Sequence, residues 1–313
     1  MVTLWFIWAK LALCALVIMV AGTVLTRYAD VIADKTGWSG SWVGLVLLAS
    51  VTSLPELATG ASAVVLADAP NIAMGVLGSL VLNLLMLGVI DMFSRREPLY
   101  RHATQSHVLT AAWCIVLTGV VALGLVLAQT PVNASIWHVG IYTPVFVVGY
   151  LMAVRSVFLH ERAQMPTLPR DDVDRYPGLS LRRVVARYMA AAVAVVAAGI
   201  WLPFIGIDLA DQLGWQKSFV GSVFIAAATT LPELVVTITA LRMGALDMAV
   251  ANLLGSNLFD IAIIAIDDLL YTQGPILSAV SPLHAASAVT AMTMGAIAIV
   301  ALRVRAGRAA TWA

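Results

Sequence analysis

Charge is what this sequence has least of. Of its 313 residues only 11% are Asp, Glu, Lys or Arg, against about 25% in an ordinary soluble domain. In their place 61% are hydrophobic, and the mean hydropathy is +0.94. A soluble fold is excluded, and with a net charge of +1 no nucleic-acid partner is expected. Cysteine is nearly absent: Cys14 and Cys114 lie inside apolar runs, without disulfide or metal spacing, and read as small core residues. The five histidines, His102, His107, His138, His160 and His284, fall mostly near the ends of apolar runs and read as interfacial or capping residues. That argues against zinc, copper or nickel sites, which favour His or Cys. No HExxH or GxSxG motif occurs, so no enzyme is expected.

What the sequence does have is long apolar runs. Nine are found, at about 4–26, 40–66, 71–93, 107–128, 136–159, 184–206, 218–241, 247–270 and 280–302. Each is near the roughly 20 residues that cross a bilayer as a helix. The first is too long for a signal peptide and lacks the basic start. With the N-terminus outside, the inner loops collect 16 of the 18 basic residues, seven of them arginines between Arg155 and Arg187. Lys217 alone falls outside, and Lys10 lies in the first run. This positive-inside bias predicts nine spans with the C-terminus inside.

The chain also repeats itself. An offset of 177 residues aligns 34–91 with 211–268 without a gap, giving 18 identities in 58 positions. DKTGWSGSWVGLVLLASVTSLPEL meets DQLGWQKSFVGSVFIAAATTLPEL, and LGSLVLN at 77–83 meets LGSNLFD at 254–260. Five spans precede the polar loop at 160–183, so the second copy enters the membrane from the opposite side. The predicted fold is an all-α polytopic membrane protein of two inverted-topology repeats, residues 1–159 and 184–313, joined by a cytoplasmic loop at 160–183. Inverted repeats are a common plan of secondary transporters, with the site near the midplane. A counterpart of the fifth span would begin near residue 310, so either a five-plus-four arrangement of about nine helices or a sequence missing its last helix is expected. The loop acids Asp171, Asp172 and Asp174 read as a solvated, mixed-charge segment.

Three acids sit deep in apolar sequence: Glu56, Glu233 and Asp260. Buried ionisable groups in a membrane usually face a cavity or pathway. Glu56 and Glu233 are repeat equivalents, so they converge on the pseudo-twofold axis, a geometry suited to one shared divalent ion. Pro55 and Pro232 predict helix breaks, which membranes tolerate where they line a cavity. Carbonyls near Thr52 and Thr229 become candidate ligands, and each Thr shares a face with the Glu four residues on. Ser79 with Asn83, and Ser256 with Asp260, repeat that spacing. Gly78 and Gly255 would allow local unwinding or close helix approach. All these donors are oxygens, the set that hard cations such as Ca²⁺ and Na⁺ prefer. Trp38 and Trp215 repeat at span starts and fit interfacial anchoring.

TSLPE at 52–56, TTLPE at 229–233, GSLVLN at 78–83 and GSNLFD at 255–260 resemble the paired alpha repeats of the cation/calcium antiporter superfamily, specifically the sodium/calcium exchangers. The resemblance implies that Glu56 and Glu233 ligate calcium, helped by the backbone of Thr52 and Thr229. It further implies that Ser53, Ser79, Asn83, Thr230, Ser256 and Asp260 complete the cluster and the sodium sites. It makes 4–26 and 184–206 the mobile pair of spans. Leu80 departs from the family's usual Asn, which Asn257 keeps, and Val51 and Ala228 replace a frequent Gly.

The expected function is sodium/calcium antiport by alternating access, in a prokaryotic inner (plasma) membrane. Proton-coupled exchange is the nearest alternative and a cation channel a distant one. No cofactor and no obligatory protein partner are expected; the partners are inorganic cations and the bilayer.

Overall fold

The computed structural model describes residues 2–93, 105–130, 134–164, 175–213 and 225–310. In lipid every backbone polar group must be satisfied within the chain, and the apolar runs accordingly fold as helices. The elements are α1 (Val2–Thr36), α2 (Gly40–Val43), a π-helical turn (Gly44–Leu48), α3 (Ala49–Thr52), α4 (Leu54–Val65), α5 (Pro70–Ala73), α6 (Val76–Phe93), α7 (Gln105–Leu127) and α8 (Tyr142–Gln164). They continue as α9 (Leu181–Leu213), α10 (Ile225–Thr229), α11 (Leu231–Arg242), α12 (Leu246–Leu270), α13 (Ile276–Ala279) and α14 (His284–Ala310). A two-stranded hairpin, β1 (Ser135–Ile136) and β2 (Val139–Gly140), precedes α8.

Among the described residues eight segments are long and apolar enough to span a membrane, matching eight of the nine expected runs. The remaining run, 218–241, appears as α10 and α11, and its start lies outside the described residues, as do Trp215, Asp171, Asp172 and Asp174. The boundaries move in informative ways. α1 and α9 run on to Thr36 and Leu213, well past the expected 26 and 206. The fifth span begins at Tyr142 rather than 136, because residues 135–140 are held in the hairpin.

Asp268, near the end of α12, anchors that hairpin. It accepts hydrogen bonds from Gly140 N (2.9 Å), Tyr142 Oη (2.8 Å), Ile276 N (2.7 Å) and Thr143 Oγ1, and Leu277 N donates in turn to Tyr142 Oη (3.1 Å). One buried carboxylate thus satisfies donors from β2, α8 and α13. Removing an acceptor strands its buried donors at about 1–3 kcal/mol each. Asp268→Ala is therefore expected to destabilise the protein by at least about 3 kcal/mol, read as a lowered melting temperature in detergent.

Among the described residues the apolar core falls into several clusters. One joins α6, α7, α8, α12 and α14 through residues such as Leu80, Leu117, Phe146, Leu254 and Leu302. Two others pack α1 against α9 along their length, through Ile18, Leu25, Val195, Leu202 and Ile205, and reach α11 at Val236, the second span at Val43 and Leu48, and the start of α12 at Met248 and Ala249. No buried residue of α1 or α9 belongs to the first cluster. A polar clasp closes one end of the α1–α9 pair. Arg175 Nε binds Asp34 (2.8 Å), Tyr176 Oη donates to Asp30 (2.6 Å), and Arg187 donates to Tyr28 Oη (2.8 Å). The Asp30 carboxylate that accepts from Tyr176 pushes its phenol up to about 12. A raised value favours the neutral phenol in the folded state, so the contribution is complete below the ordinary tyrosine range near 10 and fades as pH rises through 12. Ultraviolet titration should find Tyr176 among the last tyrosines to ionise, and Asp30→Asn should bring it down.

Candidate ion-binding site

Two helix breaks build the site. The second span is interrupted at Ser53 (φ −88°, ψ 1°) and its repeat counterpart at Thr230 (φ −82°, ψ 0°). Pro55 and Pro232 follow in the first turn of α4 and α11, where a missing N–H costs least. Glu56 and Glu233 sit in the same first turns, beside the positive ends of the two helix dipoles. The breaks predicted from the prolines are therefore present, 177 residues apart in one conformation.

Of the two readings of the glycines, local unwinding is absent. α6 runs unbroken through Gly78 and α12 through Gly255; the interruption in the third span is the turn at Met74–Gly75. Gly255 instead permits close approach. A Cβ there would lie 2.8 Å from both the Leu45 carbonyl oxygen and the Ala49 Cβ. Gly44, opening the π-helical turn, meets α12 in the same way, with the Met248 oxygen 2.5 Å from where its Cβ would stand. These two contacts seat the first-half break on α12, bringing Ser256 and Asp260 to it.

All ten predicted ligands are buried, and Glu56 is only 6% exposed and Glu233 and Asp260 1%. They interleave across the repeats. Glu233 Oε1 accepts from Ser53 Oγ (3.3 Å) and Ser256 Oγ (3.4 Å), with Thr52 Oγ1 3.5 Å from Ser256 Oγ. Glu56, Thr229 and Ser79 line one small cavity of about 10 Å³, which extends past Thr59 and Gly60. Each glutamate thus lies beside residues from the other repeat's break, although spacing alone pairs Thr52 with Glu56 and Thr229 with Glu233. Asn83 Nδ2 donates to Asn257 Oδ1 (3.0 Å), and Asn257 Nδ2 to the carbonyl of Leu80, its own repeat equivalent (3.3 Å). Ser53 and Thr230 differ: Ser53 reaches Glu233, while Thr230 bonds back to the Ala226 carbonyl.

Among the described residues, both carboxylate oxygens of Glu56 and of Asp260, Oε2 of Glu233, Oδ1 of Asn83 and Oγ of Ser79 have no hydrogen-bond partner. A buried carboxylate without a partner is expensive. Glu56 feels the charges of both Glu233 and Asp260. Among the described residues no three His, Cys, Asp or Glu side chains form a cluster able to hold a metal on their own. The donor set is therefore mixed: acids supplemented by hydroxyl and amide oxygens, suited to a hard cation that takes six to eight oxygens.

The match to the model of the sodium/calcium exchanger protein family covers residues 6–155 and 184–313. The chain belongs to that family. The exchanger is 26% identical to inner membrane protein YrbG of Escherichia coli over 275 residues, covering 84% of this chain and 82% of that one. A local match to the sodium/calcium exchanger MaX1 of Methanosarcina acetivorans reaches 32% identity over 91 residues, 29% of this chain and 26% of that one. Among solved structures, the sodium-calcium exchanger NCX_Mj superposes with a TM-score of 0.70 at 17% identity, covering 95% of this exchanger and 90% of that chain. The all-α membrane fold expected from the sequence agrees with that likeness.

Two features of the exchanger's interior escaped sequence reasoning. Asn257, noted only as a family residue, links Asn83 to the Leu80 backbone. His107, expected at an interface, is buried, its Nε2 3.1 Å from the Asp247 carbonyl and 3.4 Å from Ser41 Oγ. Its position near the start of α7 gave no sign of this, since the covering elements α2 and α12 are remote in sequence.

Proposed function

We propose that this exchanger moves calcium against sodium through one central site whose carboxylates serve both ions in turn. Glu56 and Glu233 would ligate calcium together with Thr52 and Thr229. Asp260, Asn83, Ser79, Ser256, Ser53 and Thr230 would complete the cluster and take part in holding sodium. The observation that carries this reading is the pair of equivalent glutamates on broken helices, each set among residues of the opposite repeat, with carboxylate oxygens left unpartnered. Shared carboxylates cannot serve both ions at once, so release of one on a given side permits loading of the other. The ions are cargo, and no cofactor is assigned a role. The charge bias of the loops supports an N-terminus outside and a C-terminus inside in a prokaryotic inner membrane. In that orientation the cavity beside Glu56, which runs toward Gly60 and Gly75, lies on the outer side of the site.

The division of the apolar core suggests how access alternates. α1 and α9 form one body, clasped through Arg175 and Tyr176, and that body abuts both helix breaks. Sliding it across the breaks would expose the site to one side and then the other while the α6–α7–α8–α12–α14 block stays fixed. Purified protein in liposomes tests the function: an outward sodium gradient is expected to drive calcium uptake. Uptake driven by a proton gradient and indifferent to sodium would overturn sodium coupling, and conductance without a counter-ion would point to a channel.

A further inference from the structure

Asp267 lies outside the cluster described above, and neither the repeat nor the exchange reading uses it. It sits on α12 seven residues, or two helical turns, beyond Asp260, about 10 Å along the helix axis. The side chain is 0% exposed, and neither carboxylate oxygen has a hydrogen-bond partner among the described residues. Its carboxyl group fills the notch left by Gly60 on α4, where an added Cβ would lie 2.4 Å from Oδ2 and 3.0 Å from Cγ. Gly60 is one turn beyond Glu56 and lines the same cavity.

The surroundings supply no charge. On its own helix the nearest acids are Asp260 and Asp268, the latter committed to its four donors. α4 presents Gly60, and no charged side chain of any element packed against Asp267 acts on it among the described residues. A calcium ion beside a single carboxylate would leave a net charge in a dry interior, whereas one monovalent cation would neutralise it. A metal ion would also need several further oxygens, and contact this close to the Gly60 backbone leaves it no room. The proton is the species that fits.

The feature also breaks the repeat symmetry. The equivalents of Gly60 and Asp267 are Thr237 and Ile90. Thr237 accepts a hydrogen bond from Asn252 (3.1 Å), and Ile90 carries no acid. The acid therefore exists at one end of the site only.

We propose that Asp267 is a proton-binding site, distinct from the cation cluster, that holds its proton while the carboxyl group packs into the Gly60 notch and exchanges it with water on that side when α4 and α12 part. The proton passes between a carboxylate oxygen and water, with no other bond made or broken. Because α4 also carries Glu56, opening the notch widens the cavity beside the central site, so protonation state and access on that side are linked.

Infrared difference spectroscopy on the full chain in lipid nanodiscs tests protonation without requiring transport, so it can fail or succeed independently of the exchange reading. The expected result is a neutral carboxylic acid band at neutral pH that disappears in Asp267→Asn and is unchanged by adding sodium at fixed pH. Loss of the band on sodium addition would make the occupant sodium, and absence of any band assignable to Asp267 would show an ionised group; either overturns the proposal. In liposomes, Asp267→Asn mimics the protonated form. It should keep calcium flux but lose the flux dependence on pH at the Gly60 side, while an unchanged pH profile would overturn the link to access. Gly60→Ala, which crowds the notch, should shift the wild-type infrared titration toward easier proton loss; an unshifted titration counts against the notch as the proton's seat.

Discussion

Sodium-driven calcium uptake is expected to vanish in Glu233→Gln and in Glu56→Gln. Each substitution keeps side-chain size and removes one of the two symmetric charges. Removing one partner of a buried, desolvated charge pair costs about 2–5 kcal/mol. A loss of roughly 3 kcal/mol weakens binding about 100-fold, enough to empty the site at ordinary calcium concentrations. The two variants should differ in detail. Glu56 has only the Thr229 hydroxyl close by among the described side-chain donors, so its loss falls mainly on ion ligation. Glu233 Oε1 also holds the hydroxyls of Ser53 and Ser256, so Glu233→Gln rearranges the join between the halves as well. Calcium binding by calorimetry on protein of unchanged melting behaviour separates the two effects. Wild-type uptake in either variant would refute the shared-site account.

Much of this site was readable in one dimension because duplication supplied an internal alignment. Pro55 and Pro232 marked the breaks to within two residues, since a missing N–H limits where a helix can continue. The acids stood out because carboxylates are rare in apolar runs. What spacing could not give was which half each side chain serves. Thr52 and Glu56 share a face by the i,i+4 rule, yet across the break Thr52 meets Ser256, which donates in turn to Glu233. Glycine was ambiguous for a related reason. Gly78 and Gly255 can mark either a break or a close approach, and only the partner helix decides; Leu45 and Ala49 against Gly255 settle it as approach.

Asp267 and Asp268 were passed over because they lie near the end of an apolar run, where acids usually meet water. The hairpin and α13 cover that end, so one acid became an anchor and the other a dry carboxyl group. Covering elements far away in sequence are what a linear reading misses. His107 illustrates the same limit, being buried by α2 and α12 although it opens a helix. The boundary of the first span moved for another reason: α1 stays helical beyond the apolar stretch where Asp30, Asp34 and Tyr28 find partners in Arg175, Tyr176 and Arg187.

Gly199 on α9 should be the position where the smallest added volume has the largest effect on turnover. Its missing side chain lets α9 rest on both breaks: an added Cβ would lie 2.4 Å from Pro55 Cγ and 3.8 Å from Pro232 Cγ. If α1 and α9 slide across the breaks during exchange, a branched side chain here jams the sliding surface rather than the ligands. Overpacking a tight contact costs about 1–3 kcal/mol, and a barrier raised by that amount slows the step roughly 5- to 150-fold. Gly199→Val is therefore expected to cut the exchange rate by at least about tenfold while calcium affinity at equilibrium changes much less. The repeat equivalent, Gly22, meets the side chain of Val235 at 2.9 Å, and Gly22→Val should be milder because that side chain can turn away. Gly88, with nothing within 4 Å of an added Cβ, serves as the control for a neutral glycine replacement. Stopped-flow calcium flux on the three variants separates the outcomes. A rate in Gly199→Val equal to that in Gly88→Val would mean that α9 does not pass over the prolines, and the alternating motion would have to be sought in another pair of helices.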